Sequence, residues 1–130
     1  AFISATTSRK PSDRVCTARA DDRLRDVVAL MKAHNVSQLP VVDENGRLRG
    51  LVSEIDLLNH MLQVDHVHEA DETIAEMIDE DAPVVGPNAR LETLMSLISH
   101  RPAVVIVRDD RVEGILTKID ILDYLSSQIR

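Results

Sequence analysis

The chain has 130 residues, 44% of them hydrophobic, and a formal net charge of −7. This length supports one ordinary domain or two very small ones sharing a core, and the composition excludes a disordered chain. The charge is uneven: residues 63–81 carry eight acids (Asp65, Glu69, Asp71, Glu72, Glu76, Asp79, Glu80, Asp81) and no Lys or Arg, while the rest comes to about +1. The acidic run reads as a solvated connector, and no basic face suited to nucleic acid is visible. Phe2 and Tyr124 are the only aromatic residues, so the core and any pocket must be aliphatic. The single Cys16 excludes an intrachain disulfide and suits a cytoplasmic setting. No apolar run approaches the length of a membrane span, so no membrane partner is expected. The chain opens on Ala1 without a signal-peptide pattern, which reads as the C-terminal piece of a longer protein.

In chain order, a short strand at 16–19 leads to an amphipathic helix at about 22–34. Leu24, Val27, Val28 and Met31 mark its buried face, and Asp21 or Asp22 can cap it. A strand at 39–43, a hairpin turn marked by Asn45-Gly46, and a strand at 47–52 follow. A helix at about 54–63 closes the set, with Leu57, Leu58, Met61 and Leu62 apolar. The order then repeats: strand 83–86, helix 89–100, strands 103–108 and 111–116, helix 118–127. In the second copy Leu91, Leu94, Met95 and Ile98 mark the first helix, Asn88 can cap it, and Ile121, Leu122 and Leu125 mark the last.

The duplication is explicit in the residues. Gly50-Leu51-Val52-Ser53-Glu54-Ile55-Asp56-Leu57-Leu58 matches Gly114-Ile115-Leu116-Thr117-Lys118-Ile119-Asp120-Ile121-Leu122 at a constant offset of 64, whereas the upstream helices match at 67. The second copy has therefore lost three residues between its first helix and the following strand, relative to His34-Asn35-Val36-Ser37-Gln38-Leu39-Pro40. Neither half could stabilise a core alone. The expected fold is α/β (α+β): two βαββα repeats packed through their sheets in a pseudo-two-fold arrangement.

Strand, helix, strand, turn, strand, then Gly-x-x-Ser/Thr-x-x-Asp opening a helix resembles a CBS domain, and two copies resemble a Bateman module. The resemblance divides the chain into an N-terminal linker (1–14), a first CBS domain (15–62), an acidic connector (63–81) and a second CBS domain (82–130). Asn35-Val36-Ser37-Gln38-Leu39-Pro40-Val41-Val42-Asp43 and the ending Gly114 to Leu125 resemble the C-terminal regulatory region of a bacterial-type cystathionine β-synthase.

The resemblance implies a non-catalytic regulatory module binding AMP, ATP or S-adenosylmethionine. It also implies an upstream catalytic domain holding pyridoxal phosphate, with no cofactor in the module itself, and a homodimer formed through helices. Thr117, Lys118, Ile119 and Asp120 would serve one adenosyl site, walled by Val84, Val85, Pro102, Ala103 and Val104. Ser53, Ile55 and Asp56 would serve the other, with Thr17, Ala18, Ser37, Gln38, Leu39 and Pro40. A carboxylate can accept both hydroxyls of a ribose diol, and helix N-terminal amides favour an anion. The same residues also read as helix caps that need no ligand, and a ligand-free dimerisation module is the alternative function. Lys118 would suit a phosphate and Glu54 would repel one, so the two sites should differ.

His34 and His100 occupy matching positions at helix C-termini, which suits the helix dipole or a phosphate. Asp65-His66-Val67-His68-Glu69 reads as a surface loop rather than a metal site. No nucleophile elbow, phosphate loop or acid/base pair marks an enzyme.

Overall fold

The computed structural model describes residues 16–63 and 71–129. Contacts divide the chain into two compact units, one spanning Cys16–Asp81 and the other running from Ala82 onward. The first contains β1 (Ala18–Arg19), α1 (Leu24–His34), β2 (Gln38–Val42), β3 (Leu48–Ser53) and α2 (Glu54–Met61). The second repeats the order with β4 (Val84–Val85), α3 (Leu91–Ile98), β5 (Ala103–Arg108), β6 (Arg111–Thr117) and α4 (Lys118–Ser126). Each forms a three-stranded sheet, in the orders β1-β2-β3 and β4-β5-β6. The first two strands of each sheet run parallel across a helix and the last two form an antiparallel hairpin. The mixed α/β class expected from the repeat is therefore present in both halves.

Each core is aliphatic, as the composition requires. Leu24, Val27 and Met31 of α1 meet Leu39, Val41, Val52 and Leu57 in the first. Leu94 and Ile98 of α3 meet Val104, Ile106, Leu116 and Ile121 in the second. β5 is buried on both faces, with Ala103 and Val105 as fully covered as Val104, which explains its unbroken apolar run. Not every periodic residue reaches a core. Met95, Leu58, Met61, Leu62, Leu122 and Leu125 are exposed, leaving Leu57 and Ile121 as the buried residues of α2 and α4.

The caps differ from the sequence expectation. The residues preceding α1 and α3 are Arg23 and Arg90, and neither makes a side-chain cap bond. Asp22 instead accepts the Arg19 amide at 2.8 Å. The first amide of α1, on Leu24, donates to the Glu72 carbonyl at 2.8 Å. A neighbouring backbone thus satisfies the orphan donor that a side chain was expected to take.

The turns also exchange roles. Asn45-Gly46 does not make a two-residue primed turn: Gly46 alone is left-handed there (φ 80°). The Asp43 carboxylate closes that loop by accepting the Asn45 and Arg47 amides at 2.8 and 3.0 Å. Asp109 and Asp110 both have positive φ (52° and 64°) between the paired Arg108 and Arg111. That is the signature of a type I′ hairpin.

The described part of the acidic connector, 71–81, is not simply solvated. It forms a 3-10 turn at Ala75–Met77. Ile74 and Met77 join the first unit's core. Asp79 exchanges two backbone hydrogen bonds with Leu51 of β3, at 2.8 and 3.0 Å. A Cβ at Gly50 would lie 2.6 Å from the Asp79 carbonyl oxygen, so glycine is what admits this close approach.

Candidate functional site

Both hydroxyl–carboxylate motifs sit where a strand ends and a helix begins. The ladder pairs Gln38 with Ser53 and Ala103 with Thr117, so Ser37 and Pro102 adjoin the two motifs. In the first copy Ser53 is buried. Its Oγ donates to Asp56 Oδ2 at 2.8 Å and accepts the Asp56 amide at 3.2 Å. In the second copy Thr117 gives both its amide (2.8 Å) and its Oγ1 hydroxyl (3.1 Å) to Asp120 Oδ2, in a capping box. Each carboxylate spends one oxygen on the residue that caps its helix. Among the described residues Oδ1 of Asp56 and of Asp120 has no hydrogen-bond partner. Capping and ligand binding are therefore compatible in the same residue.

The copies differ at the first helical amide. Glu54 N–H donates to the Ser37 carbonyl at 2.8 Å. In the second copy, among the described residues, no carbonyl takes the Lys118 amide. The flanking charges follow the same division, with exposed Glu54 beside Ser53 and exposed Lys118 beside Thr117. His34 and His100 are both exposed, at or just beyond the ends of α1 and α3.

Of the remaining expected wall residues, Val84, Pro102, Ile55, Ile119 and Ser37 are exposed, and Val85 and Thr17 are half-buried. Leu39 and Val104 are turned into the two cores, and Ala18, Pro40 and Ala103 are fully covered. These five pack the sheets rather than line an open surface. Cys16 is half-buried and packs beside the first core; burial pushes its thiol above the usual range, which disfavours a reactive thiolate. His66 and His68 lie outside the described residues. Among the described residues no cluster of His, Cys, Asp or Glu could hold a metal, and no helix is long and apolar enough to cross a membrane. Sequence reasoning missed the pair between His60 and Glu72, and the seating of the connector around it. Ile74 and Met77, spaced three apart in the acidic run, and Gly50 inside a strand were the available signals.

Comparison with known proteins agrees with this architecture. The CBS domain pair of protein MJ0100, solved in complex with 5-methylthioadenosine and S-adenosyl-L-methionine, superposes with a TM-score of 0.81 at 22% identity, covering 99% of this chain and 100% of that one. CBSX2, solved in complex with AMP, superposes at 0.78 with 20% identity, covering 98% and 99%. Cystathionine beta-synthase of Dictyostelium discoideum is 25% identical over 129 residues, which is 95% of this chain and 26% of that enzyme. The chain spans about a third or less of the length of the curated relatives it matches. Residues 10–63 and 74–127 each match the model of the CBS domain, and the chain belongs to the CBS-domain family as a tandem pair.

Proposed function

We propose that this CBS pair is a regulatory, non-catalytic module that binds an adenosyl compound and controls an attached cystathionine β-synthase-like enzyme. The observation that carries the reading is the doubled motif, in which Asp56 and Asp120 each accept the capping residue's hydroxyl with Oδ2, while among the described residues Oδ1 has no hydrogen-bond partner. That oxygen would accept the ribose hydroxyls, with charge-assisted bonds. Thr117, Ile119 and the exposed Val84, with Val85 and Pro102, would complete the second site; Ser53, Ile55, Thr17 and Ser37 would complete the first. The structural neighbours solved with AMP, S-adenosylmethionine or 5-methylthioadenosine support an adenosyl ligand. The likeness to a cystathionine beta-synthase supports the parent enzyme, whose pyridoxal phosphate would sit in its own catalytic domain. A parent of this kind would place the module in the cytoplasm.

A phosphate-bearing ligand prefers the second site. Lys118 and a helix amide that no described carbonyl takes favour an anion there, whereas Glu54 and the Ser37 carbonyl oppose one at the first. Calorimetric titration with AMP, ATP, S-adenosylmethionine and adenosine tests the proposal. Heat and a raised melting temperature with at least one of them are expected, and Asp120→Ala should weaken AMP at least about tenfold. No heat and no thermal shift with all four would end the sensing role. The second reading, a ligand-free dimerisation module, would then stand on the exposed apolar residues of α2 and α4.

A further inference from the structure

The connector meets α2 at a point the ligand reading does not use. The imidazole Nε2 of His60, in the last turn of α2, is hydrogen-bonded to Glu72 Oε1, and the two side chains are only 12% and 15% exposed. Glu72 is also the residue whose carbonyl takes the first amide of α1. One residue of the connector thus grips the start of α1 with its backbone and the end of α2 with its side chain. Beyond it Ile74 N–H donates to the Asp22 carbonyl at 3.1 Å, and Asp79 pairs with Leu51. Between those anchors the seam is not filled. A polar recess of about 290 Å3 lies there, lined by Asp56, Asn59, His60, Glu76 and Asp79 among others. Among the described residues, the acids lining it are Asp56, on the same helix, and Glu76 and Asp79, from the connector. Ile74 and Met77 seat the middle of the segment in the first core, so the His60–Glu72 pair secures the segment's start, beside this recess.

We infer that His60 and Glu72 form a latch that fixes the start of the connector, Glu72 and Thr73, on the first unit, and that opening it loosens this start and the α1 amide it holds while Ile74 and Met77 stay in the core. Removing either side chain takes away the hydrogen bond that joins the end of α2 to the start of the connector. The segment leads by the chain itself to Ala82 and β4.

Hydrogen exchange on the whole chain tests this. In His60→Ala and in Glu72→Gln, exchange of the Leu24 and Ile74 amides, which bond at the connector's start, should accelerate roughly tenfold or more, while α3 and β5 amides keep their rates. The double variant should exchange no faster than the quicker single one, as required of two groups acting as one pair. Unchanged connector exchange in both single variants, or acceleration that spreads evenly over the chain, would overturn the latch. In the unmodified protein a nuclear Overhauser contact between the His60 ring and the Glu72 side chain is expected, and its absence would overturn it as well. The experiment needs no ligand, so its outcome is separate from that of the adenosyl titrations.

Discussion

At the scale of single residues, three backbone positions make sharp demands. Gly50 is required because any side chain would strike the Asp79 carbonyl and Ile78 Cγ2, both 2.6 Å from its ideal Cβ. Gly50→Ala should therefore lower stability by about 1–3 kcal/mol, as overpacking does. It should also raise exchange at Leu51 and Asp79, the two residues whose bridge it displaces. Asp109 and Asp110 make the opposite case. Both hold left-handed backbone without being glycine, a state that costs a non-glycine residue about 1 kcal/mol. Asp110→Gly should raise the denaturation midpoint, by about 0.5–1 kcal/mol in stability, since the native turn then fits its residue. Asp43 is the third. The Arg47 amide above all holds its carboxyl below the ordinary range, helped by the Asn45 amide and nearby arginines. Its contribution is present above the unfolded carboxylate range and is lost as pH falls through the depressed value. Asp43→Asn should consequently destabilise at neutral pH and make less difference in acid, read by melting temperature against pH.

At the scale of elements, the connector and the paired motifs carry the argument. Ile74 is wholly buried in the first core, so Ile74→Ala should cost about 2–5 kcal/mol, far beyond what a solvated linker would register in a melting curve. Both repeats were legible from their residues because two signals agreed: helix periodicity in Leu24, Val27 and Met31, and a Gly-to-Asp pattern at constant spacing. The connector was not, because its eight acids dominate the run by composition, and its hydrogen bonds go to backbone groups that sequence does not mark. The caps misled for a related reason. Asp22 is a favoured cap by type, yet the Glu72 carbonyl had already satisfied the amide it would have served. For the motifs, residue types revealed the hydroxyl, the carboxylate and the opposite charges of Glu54 and Lys118. Only coordinates revealed that Ser37 occupies one helix amide and that, among the described residues, no carbonyl takes its counterpart. Exchanging the charges checks which matters. Glu54→Lys with Lys118→Glu should reduce the advantage of AMP over adenosine at the second motif, measured by calorimetry. The covered Glu54 amide should keep the first motif from gaining all that the second loses.

At the scale of the whole molecule, the exposed apolar residues remain to be accounted for. On α2, Ile55 (55%), Leu58 (48%), Met61 (49%) and Leu62 (67%) are open, and on α4 Ile119 (68%), Leu122 (61%) and Leu125 (40%) are open. Periodicity marks these as helix-face residues but cannot assign the face, because a core and a contact between copies use the same aliphatic chemistry. Scattered exposed leucines need no explanation, but runs of them on two equivalent helices do. A groove of about 300 Å3 between α1 and α2, lined by Val28, Met31, Val36, Leu58 and Met61 among others, extends the first of these faces. Self-association through α2 and α4 would cover them, and a symmetric dimer lets one patch serve both partners. Light scattering should then report twice the chain mass. Leu58→Glu with Leu122→Glu should give a monomer, because each introduces a charge into a surface that excludes water in the dimer. Both residues are exposed in the isolated chain, so neither substitution should unfold it, and adenosyl titration of the monomer separates the two roles. Retained heat would make ligand binding a property of each chain; lost heat would mean that association shapes the site. A wild-type monomer at high concentration would leave the apolar faces of α2 and α4 to a partner other than a second copy.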